Sequence, residues 1–321
     1  MKSSFPAIAA AMGIALALAC NAASAQDVTS DVTVTQQGNG NTAYAEQAGV
    51  TPPNPRASVT ITQIGDGNHV GGPGATSGGV VQRNNPFGTL VAQVLQNGKS
   101  NNAGLIQENN ANAAVAADGR ITQTGKGNDA TLRQLNSSYV EAVVEQGGTG
   151  NLARVEQLES VDASLRVLQS GTGNRATVSQ NGGSYGGPTV TQNGDGNSAS
   201  VTTNSTPAGG PLIVQTGTRN QASTYQTSGW DQGLDLRQTG TGNQAYASLS
   251  GQAQRTFIDQ NGNDNLASVT QTGPSDALPG NLATIAQLGN SNTAIVRQVG
   301  QGWVANVSQV GSNNYANIYQ H

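Results

Sequence analysis

The chain has 321 residues and a formal net charge of −4, with only 10% charged and 4% aromatic residues. An apolar fraction of 35% is too small for a large conventional core, and the scattered basic residues exclude the dense positive field that nucleic acid or an anionic membrane surface requires. A composition rich in Gly, Asn, Gln, Ser, Thr and Ala is typical of an aggregation-prone polar tract or of a repeat array with a thin core.

The N-terminal segment predicts a secretory signal peptide. Lys2 precedes an apolar run over 7–19, and Ala23-Ser24-Ala25 has the small-x-small pattern of a cleavage site. We therefore predict that residues 1–25 are removed and that the mature chain begins at Gln26.

Cys20 is the single cysteine and lies within the predicted signal peptide, which excludes a disulfide framework. An alternative is that Leu18-Ala19-Cys20 is a lipoprotein cleavage site, which would leave a lipid anchor. Ala17 argues against it, because that site usually has a bulky aliphatic residue there. No other segment approaches the roughly 20 apolar residues of a membrane span.

The mature chain repeats one motif, Q-x-G-x-x-N-x-A-x-x-x-Q. Fixed spacing of 23 residues from Gln123 to Gln238 is typical of a repeat array in which each unit packs on its neighbours. Four degenerate copies begin at Gln63, Gln192, Gln238 and Gln298, the last with Trp303 in the asparagine position. The complete copies begin at Gln36, Gln96, Gln123, Gln146, Gln169, Gln215, Gln260, Gln287 and Gln309.

Alternation within each copy predicts two β-strands joined by a tight turn. The second half of the motif alternates with period two, as in Asn128, Ala130, Leu132 and Gln134. Gly-x-Gly between the halves supplies positive φ angles that reverse the chain. In the first half an aliphatic residue stands two positions before the leading glutamine, at Val34, Ile61, Val94, Ile121, Val144, Val167, Val190, Ile213, Leu236 and Ile258.

These features predict an all-β fold, a β-solenoid of stacked strand-turn-strand repeats of about 22–23 residues. About a dozen rungs at roughly 4.7–4.8 Å would form a column about 60 Å tall. Inward amides would cost about 1–3 kcal/mol each if left unpaired, so we expect each to pair with its equivalent one rung away. The predicted self-assembly ladder comprises Gln123, Asn128, Gln134, Gln146, Asn151, Gln157, Gln169, Asn174, Gln180, Gln287, Asn292, Gln298, Gln309, Asn314 and Gln320.

Four stretches interrupt the repeat without dividing it. They cover residues 50–56, 71–89, 204–211 and 273–280, which contain prolines and lack alternation. Because proline cannot donate to a sheet ladder, we predict loop insertions at solenoid corners within one domain over 26–321.

The motif resembles the curlin repeat of curli fibre subunits. The resemblance extends over nearly all of the mature chain. It implies an extracellular amyloid fibre at the cell surface, export through an outer-membrane secretion pore, a nucleator subunit, and roles in biofilm matrix and cell adhesion. The positions that fit are Gln123, Gly125, Gly127, Asn128, Ala130 and Gln134.

The predicted function is that of a structural subunit that self-polymerises by end-to-end templating, because an uncapped solenoid exposes half-ladders at both ends. A monomeric surface adhesin is the alternative. An enzyme is not expected, since His69 and His321 are the only histidines and a catalytic β-helix would need acids or bases converging on one face. Aspartate recurs irregularly, which argues against calcium, and no cofactor is expected. Interrupted outward threonine pairs argue against an ice-binding solenoid.

Overall fold

The computed structural model describes residues 16–20, 30–49, 57–71, 78–85, 88–110, 115–205, 208–276 and 278–321. All the regular structure in these ranges is β-strand, so the predicted all-β class is confirmed. The strands are β1 (Leu16–Cys20), β2 (Ser30–Gln37), β3 (Thr42–Ala48), β4 (Ala57–Asp66), β5 (His69–Val70), β6 (Val80–Arg83), β7 (Thr89–Lys99), β8 (Asn102–Glu108), β9 (Val115–Lys126), β10 (Asp129–Leu135), β11 (Val140–Thr149), β12 (Leu152–Leu158), β13 (Ser164–Thr172), β14 (Arg175–Asn181), β15 (Thr189–Asp195), β16 (Ser198–Asn204), β17 (Leu212–Thr218), β18 (Gln221–Thr227), β19 (Gly233–Thr241), β20 (Gln244–Ser250), β21 (Arg255–Asn263), β22 (Leu266–Thr272), β23 (Leu282–Asn290), β24 (Thr293–Val299), β25 (Val304–Ser312) and β26 (Tyr315–Gln320).

The strands form two parallel sheets that face each other as a β-solenoid. Sheet one contains 12 strands, namely β2, β4 and the odd-numbered strands from β7 to β25. Sheet two contains 14 strands, namely β1, β3, β5, β6 and the even-numbered strands from β8 to β26. One rung is a strand of sheet one with the strand or strands of sheet two that follow it, so the solenoid has twelve rungs, numbered from β2. The predicted solenoid is confirmed.

Successive rungs stack in register. The leading glutamines align strand by strand, as do the following glycines, for example Gln146 with Gln169 and Gly148 with Gly171. Five positions separate the leading glutamine from the asparagine in every rung, so the arc between the sheets has constant length. Variation in rung length therefore falls in the second turn, between a strand of sheet two and the next strand of sheet one, except in the second rung, where it also falls between β5 and β6.

The core is a thin double layer between the sheets. Sheet one contributes the predicted aliphatic column, in which Ile61, Ile121 and Ile213 have no exposed surface. Sheet two contributes a column of small residues, mostly alanine, and a column of larger aliphatics such as Leu132. A second column of sheet one, four positions before the leading glutamine, is of mixed size, as in Val59, Ala142 and Leu165. The four columns together fill the space between the sheets, as native packing density requires.

The insertion predicted at 71–89 is wrong in part. Residues Val80–Arg83 form β6, which pairs in register with β3 and β8 and completes the second rung. The short β5 supplies the other half of that rung on sheet two. The insertion predicted at 50–56 lies outside the described residues.

The degenerate copy predicted to begin at Gln298 is also wrong. Gln298 lies on β24 of sheet two and aligns with Gln320, so it ends the unit that begins at Gln287. Trp303 lies in the second turn, where its Nε1 donates to the Val299 oxygen at 2.9 Å, and does not occupy an asparagine position of an arc. The closing glutamine of one unit, followed two positions later by Gly300, resembled the start of another and produced the extra copy.

Candidate self-assembly site

A glutamine ladder extends through all twelve strands of sheet one. In each step the Nε2 of one glutamine donates to the Oε1 of the next, at 2.6–2.9 Å. From Gln63 to Gln309 the side chains are at most 6% exposed. The ladder comprises Gln36, Gln63, Gln96, Gln123, Gln146, Gln169, Gln192, Gln215, Gln238, Gln260, Gln287 and Gln309.

An asparagine ladder extends through the arcs. The backbone N–H of each asparagine donates to the Oδ1 of the asparagine one rung earlier, at 2.9–3.1 Å. Its Nδ2 also donates to a glycine oxygen of the following arc, as from Asn174 to Gly194 at 2.7 Å. Each asparagine therefore binds the rungs on both sides. The ladder comprises Asn41, Asn68, Asn101, Asn128, Asn151, Asn174, Asn197, Asn220, Asn243, Asn265, Asn292 and Asn314.

A second glutamine ladder extends along sheet two in two segments. The first joins Gln47, Gln82, Gln107, Gln134, Gln157 and Gln180 at 2.8–3.3 Å. The second joins Gln271, Gln298 and Gln320 at 2.8 Å. All fifteen predicted ladder residues lie in these three ladders, five in each, and their role in assembly stays a prediction.

The second glutamine ladder is interrupted in rungs 7, 8 and 9. In these three rungs the ladder position is occupied by Thr203, Gln226 and Leu249, respectively. Gln226 is fully buried, yet neither its Nε2 nor its Oε1 has a hydrogen-bond partner. The buried Oγ1 atoms of Thr203 and Thr224 also lack partners. A buried polar group without a partner costs about 1–3 kcal/mol, so this segment is a weak point in the column.

We expect Gln226→Leu to stabilise the folded chain by about 1–3 kcal/mol, since it removes a buried amide without partners and places leucine beside Leu249. The measurement is the urea unfolding midpoint of the monomer. Gln215→Leu, in the intact ladder of the same rung, is the matched control and should destabilise. Equal shifts for both variants would contradict the assignment of Gln226 as an unpaired amide.

Two polar features were missed in the sequence. Gln82 completes the second rung, but the insertion before it breaks the motif spacing by which this residue could have been recognised. A further polar column lines the second turn, where Asn110 and Ser137 accept the backbone N–H of the next member at 2.9–3.1 Å, and Asn85 accepts that of Asn110 at 2.7 Å. Each member follows a glutamine of sheet two by three positions, which is the signal that could have identified the column.

Ionic contacts lie on the outer faces. Arg133 contacts Glu156 at 2.9 Å, and both side chains are about 40% exposed, so the pair contributes little to stability. Arg83 donates two hydrogen bonds to Glu46, and this hydrogen bonding lowers the pKa of the Glu46 carboxyl. The ladders themselves consist of neutral amides.

The two histidines lie in different rungs, each beside one neighbouring side chain. His69 Nδ1 is 2.7 Å from the Thr42 hydroxyl, and His321 stacks on Tyr319 with ring centroids 4.7 Å apart. Across the described ranges, no three His, Cys, Asp or Glu side chains are grouped as a metal site would require. The same ranges contain no helix long and apolar enough to cross a membrane.

The family model of the Curlin associated repeat matches residues 229–273, which contain β19 to β22 and thus rungs 9 and 10. This match confirms the predicted resemblance to the curlin-repeat family. Among curated proteins, nothing matches the chain.

Proposed function

Because residues 229–273 match the Curlin associated repeat and the chain folds as a β-solenoid, we propose that it is a structural subunit of extracellular curli-like amyloid fibres, self-polymerising by end-to-end templating. Residues 1–25 act as a signal peptide in this proposal, and the fibre contributes to biofilm matrix and cell adhesion. A nucleator subunit and an outer-membrane secretion pore are the partners that the family suggests. The family and the fold are structural, not catalytic.

The observation that carries this proposal is that the inward-facing rows of the first and last described rungs are only partly covered. Val32 and Val34 of β2 are only partly buried, as are Ala316 and Ile318 of β26, although they face the same way as fully buried residues in central rungs. An uncovered solenoid end exposes unpaired strand edges as well as apolar side chains, and a further rung would cover both.

Each end of the mature chain would offer one edge strand of each sheet, β2 and β3 at the first end and β25 and β26 at the last. A second copy placed after rung 12 would therefore put its β2 on β25 and its β3 on β26. In the full chain β1 pairs with β3, but β1 lies within the predicted signal peptide, so cleavage would leave the β3 edge available.

Hydrogen-bonding groups at the two ends are complementary. In central rungs each ladder glutamine donates to a backbone oxygen and to the next amide, whereas Gln309 donates only to the Thr293 oxygen at 2.9 Å. Its second Nε2 hydrogen would reach Oε1 of Gln36 in the next copy, which accepts from no described residue. Gln320 would likewise donate to Gln47 of that copy.

The asparagine ladder continues in the opposite sense. Asn314 donates to Asn292 through its backbone N–H and its Nδ2, while no described residue donates to Asn314 Oδ1. The backbone N–H of Asn41 in the next copy would complete this step. All three ladders thus extend across the junction without a change of direction, and the fibre grows with one polarity.

Seeded assembly of the mature chain, from Gln26, tests the function. We expect thioflavin-T fluorescence to rise after a lag that preformed seeds abolish, and the fibres to diffract near roughly 4.7–4.8 Å along their axis. A thermally stable monomer that forms no fibres over days would instead support the alternative, a monomeric surface adhesin.

The junction is tested by the triple variant Gln309→Ala, Asn314→Ala and Gln320→Ala. Each missing amide pair is worth about 0.5–1.5 kcal/mol, so we expect the seeded elongation rate to fall at least about tenfold. The control carries three alanines at outward positions of the same last rung, Asn306, Ser308 and Asn317, and should elongate normally. Unchanged elongation of the first variant would refute this junction.

A further inference from the structure

Four adjacent strands of sheet two present an outer face without charge. All sixteen outward residues of β16, β18, β20 and β22 are neutral, and twelve of them carry hydroxyl groups. Arg175 of β14 and Arg297 of β24 border this neutral face. Its residues are Ser198, Ser200, Thr202, Asn204, Gln221, Ser223, Tyr225, Thr227, Gln244, Tyr246, Ser248, Ser250, Leu266, Ser268, Thr270 and Thr272.

Two tyrosines project from this neutral face beside two serines. Tyr225 on β18 aligns with Ser248 on β20, and Ser223 on β18 aligns with Tyr246 on β20. The two tyrosines are 44% and 41% exposed. The Tyr225 hydroxyl accepts from Asn204 Nδ2 at 3.3 Å, and the Tyr246 hydroxyl donates to the Gln244 side chain at 3.3 Å. Each tyrosine therefore projects beside a serine of the neighbouring strand, so the face has two projections and two hollows.

We propose that this face binds the same face of a second copy, lying antiparallel, about a two-fold axis that runs along the strands between β18 and β20. This axis places β18 of one copy opposite β20 of the other. Tyr225 then lies over Ser248 of the second copy, and Ser223 lies under its Tyr246. Each projection fills a hollow, as in the dry interdigitated contact between paired sheets of a fibre.

The area is sufficient for a stable contact. Between two monomers the axis brings rungs 5 to 12 together. Eight strands at about 4.8 Å, each about 23 Å long, give a footprint of about 900 Å² per copy, against about 800 Å² per partner in a standard interface. Sheet one offers no equivalent neutral face of four adjacent strands, because its outward residues in rungs 9 and 10 include the charged Asp235, Arg237, Arg255 and Asp259.

Charges on the remaining rungs support the same axis in a fibre, a step that rests on the proposed function. With twelve rungs per subunit, rung 4 meets rung 1 of a following subunit in the second fibre, and rung 3 meets rung 2. Where rung 4 meets rung 1, Arg133 lies opposite Glu46, because the two residues share one outward column. Where rung 3 meets rung 2, Glu108 lies opposite Arg83 for the same reason. Among the described outward residues of sheet two, no two like charges lie directly opposite each other.

Pairing is stronger between fibres than between monomers. A single contact joins two monomers, whereas every subunit along a fibre repeats it, so the effective concentration of each later contact is high. We expect fibres of the mature chain to be double. Their mass per length should be twice that of a single fibre, which contains one subunit for every twelve rungs.

The first test measures mass per length by electron microscopy. Ser223→Glu with Ser248→Glu fills both hollows and places carboxylates against tyrosine rings, so we expect single fibres that grow at the parent rate. The control, Thr216→Glu with Thr239→Glu, adds the same charge to outward positions of sheet one in the same two rungs and should leave the fibres double. Double fibres from the first variant, or single fibres from the parent, would overturn the proposal.

The second test exchanges projection and hollow. Ser248→Tyr alone sets tyrosine against tyrosine across the axis, and Tyr225→Ser alone sets serine against serine, so each should reduce the double-fibre fraction. The combined variant restores a tyrosine opposite a serine and should recover double fibres. Additive losses in the combined variant would refute this register.

A failure of the proposed function can be distinguished from a failure of the pairing. If the parent forms no fibres, the same variants are compared as monomers by sedimentation equilibrium, in which the face of rungs 5 to 12 alone can pair. Dimerisation at high concentration that the Ser223→Glu and Ser248→Glu variant loses, and the sheet-one control keeps, would uphold the pairing. A parent that is monomeric throughout would overturn it.

Discussion

Gly171→Ala is expected to destabilise the folded chain by about 2–5 kcal/mol. Gly171 has a φ of 111°, and a Cβ at this position would lie well inside van der Waals contact of the Gly194 carbonyl oxygen in the next arc. A positive φ costs an L-residue roughly 1–2 kcal/mol, and overpacking against backbone adds about 1–3 kcal/mol. The thermal unfolding midpoint of the monomer measures the loss, and seeded growth should fail in parallel.

Gly173→Ala, in the same arc, is the matched control. Gly173 has a φ of 65°, with open space where a Cβ would lie. Other rungs accept Arg219 and Asp264 at the equivalent position, at φ values of 53° and 53°. We therefore expect a loss of only about 1 kcal/mol. Similar losses for the two variants would show that arc stacking does not restrict the first glycine.

Gln169→Ala is expected to cost about 3–5 kcal/mol. Gln169 accepts from Gln146 at 2.8 Å, and donates to Gln192 at 2.8 Å and to the Leu152 oxygen at 3.1 Å. Truncation leaves both neighbouring amides partly unpaired and also opens a cavity, and the two losses add. Urea unfolding of the monomer measures the change.

Comparison with Gln226→Ala separates the stability contribution of the amide ladder from that of side-chain packing. Gln226 is the same residue type and equally buried, but its amide has no partner. Its truncation removes packing and relieves an unpaired amide, so we expect a loss smaller by at least about 2 kcal/mol than that of Gln169→Ala. If the two losses agree, the amide ladder contributes no more than the volume of its side chains.

Strict alternation and fixed spacing were enough to predict the solenoid and its inward columns. In the central rungs each motif position has one structural role, as for Asn128, Ala130 and Gln134, because a one-residue slip would turn every inward amide outward. The ladder positions followed from the cost of burying an amide alone, which only a neighbouring rung can offset.

What could not be predicted depends on contacts between distant segments. The strand at 80–83 is too short to show alternation, and Gln82 joins the ladder only because β3 and β8 fix its register from both sides. Motif counting also cannot tell a glutamine that opens a unit from one that closes it, which is why Gln298 was misplaced. The neutral face of sheet two is likewise apparent only when outward residues from four strands are brought side by side.

The constancy of the arc and the variability of the second turn have a consequence for engineering. Since residues 273–280 add length at a second turn without disturbing the stack, a foreign peptide inserted there should be carried on the fibre without loss of growth. Twelve rungs at about 4.8 Å would space successive inserts by roughly 58 Å along a single line. The fibre would then present a grafted sequence at regular intervals along one edge.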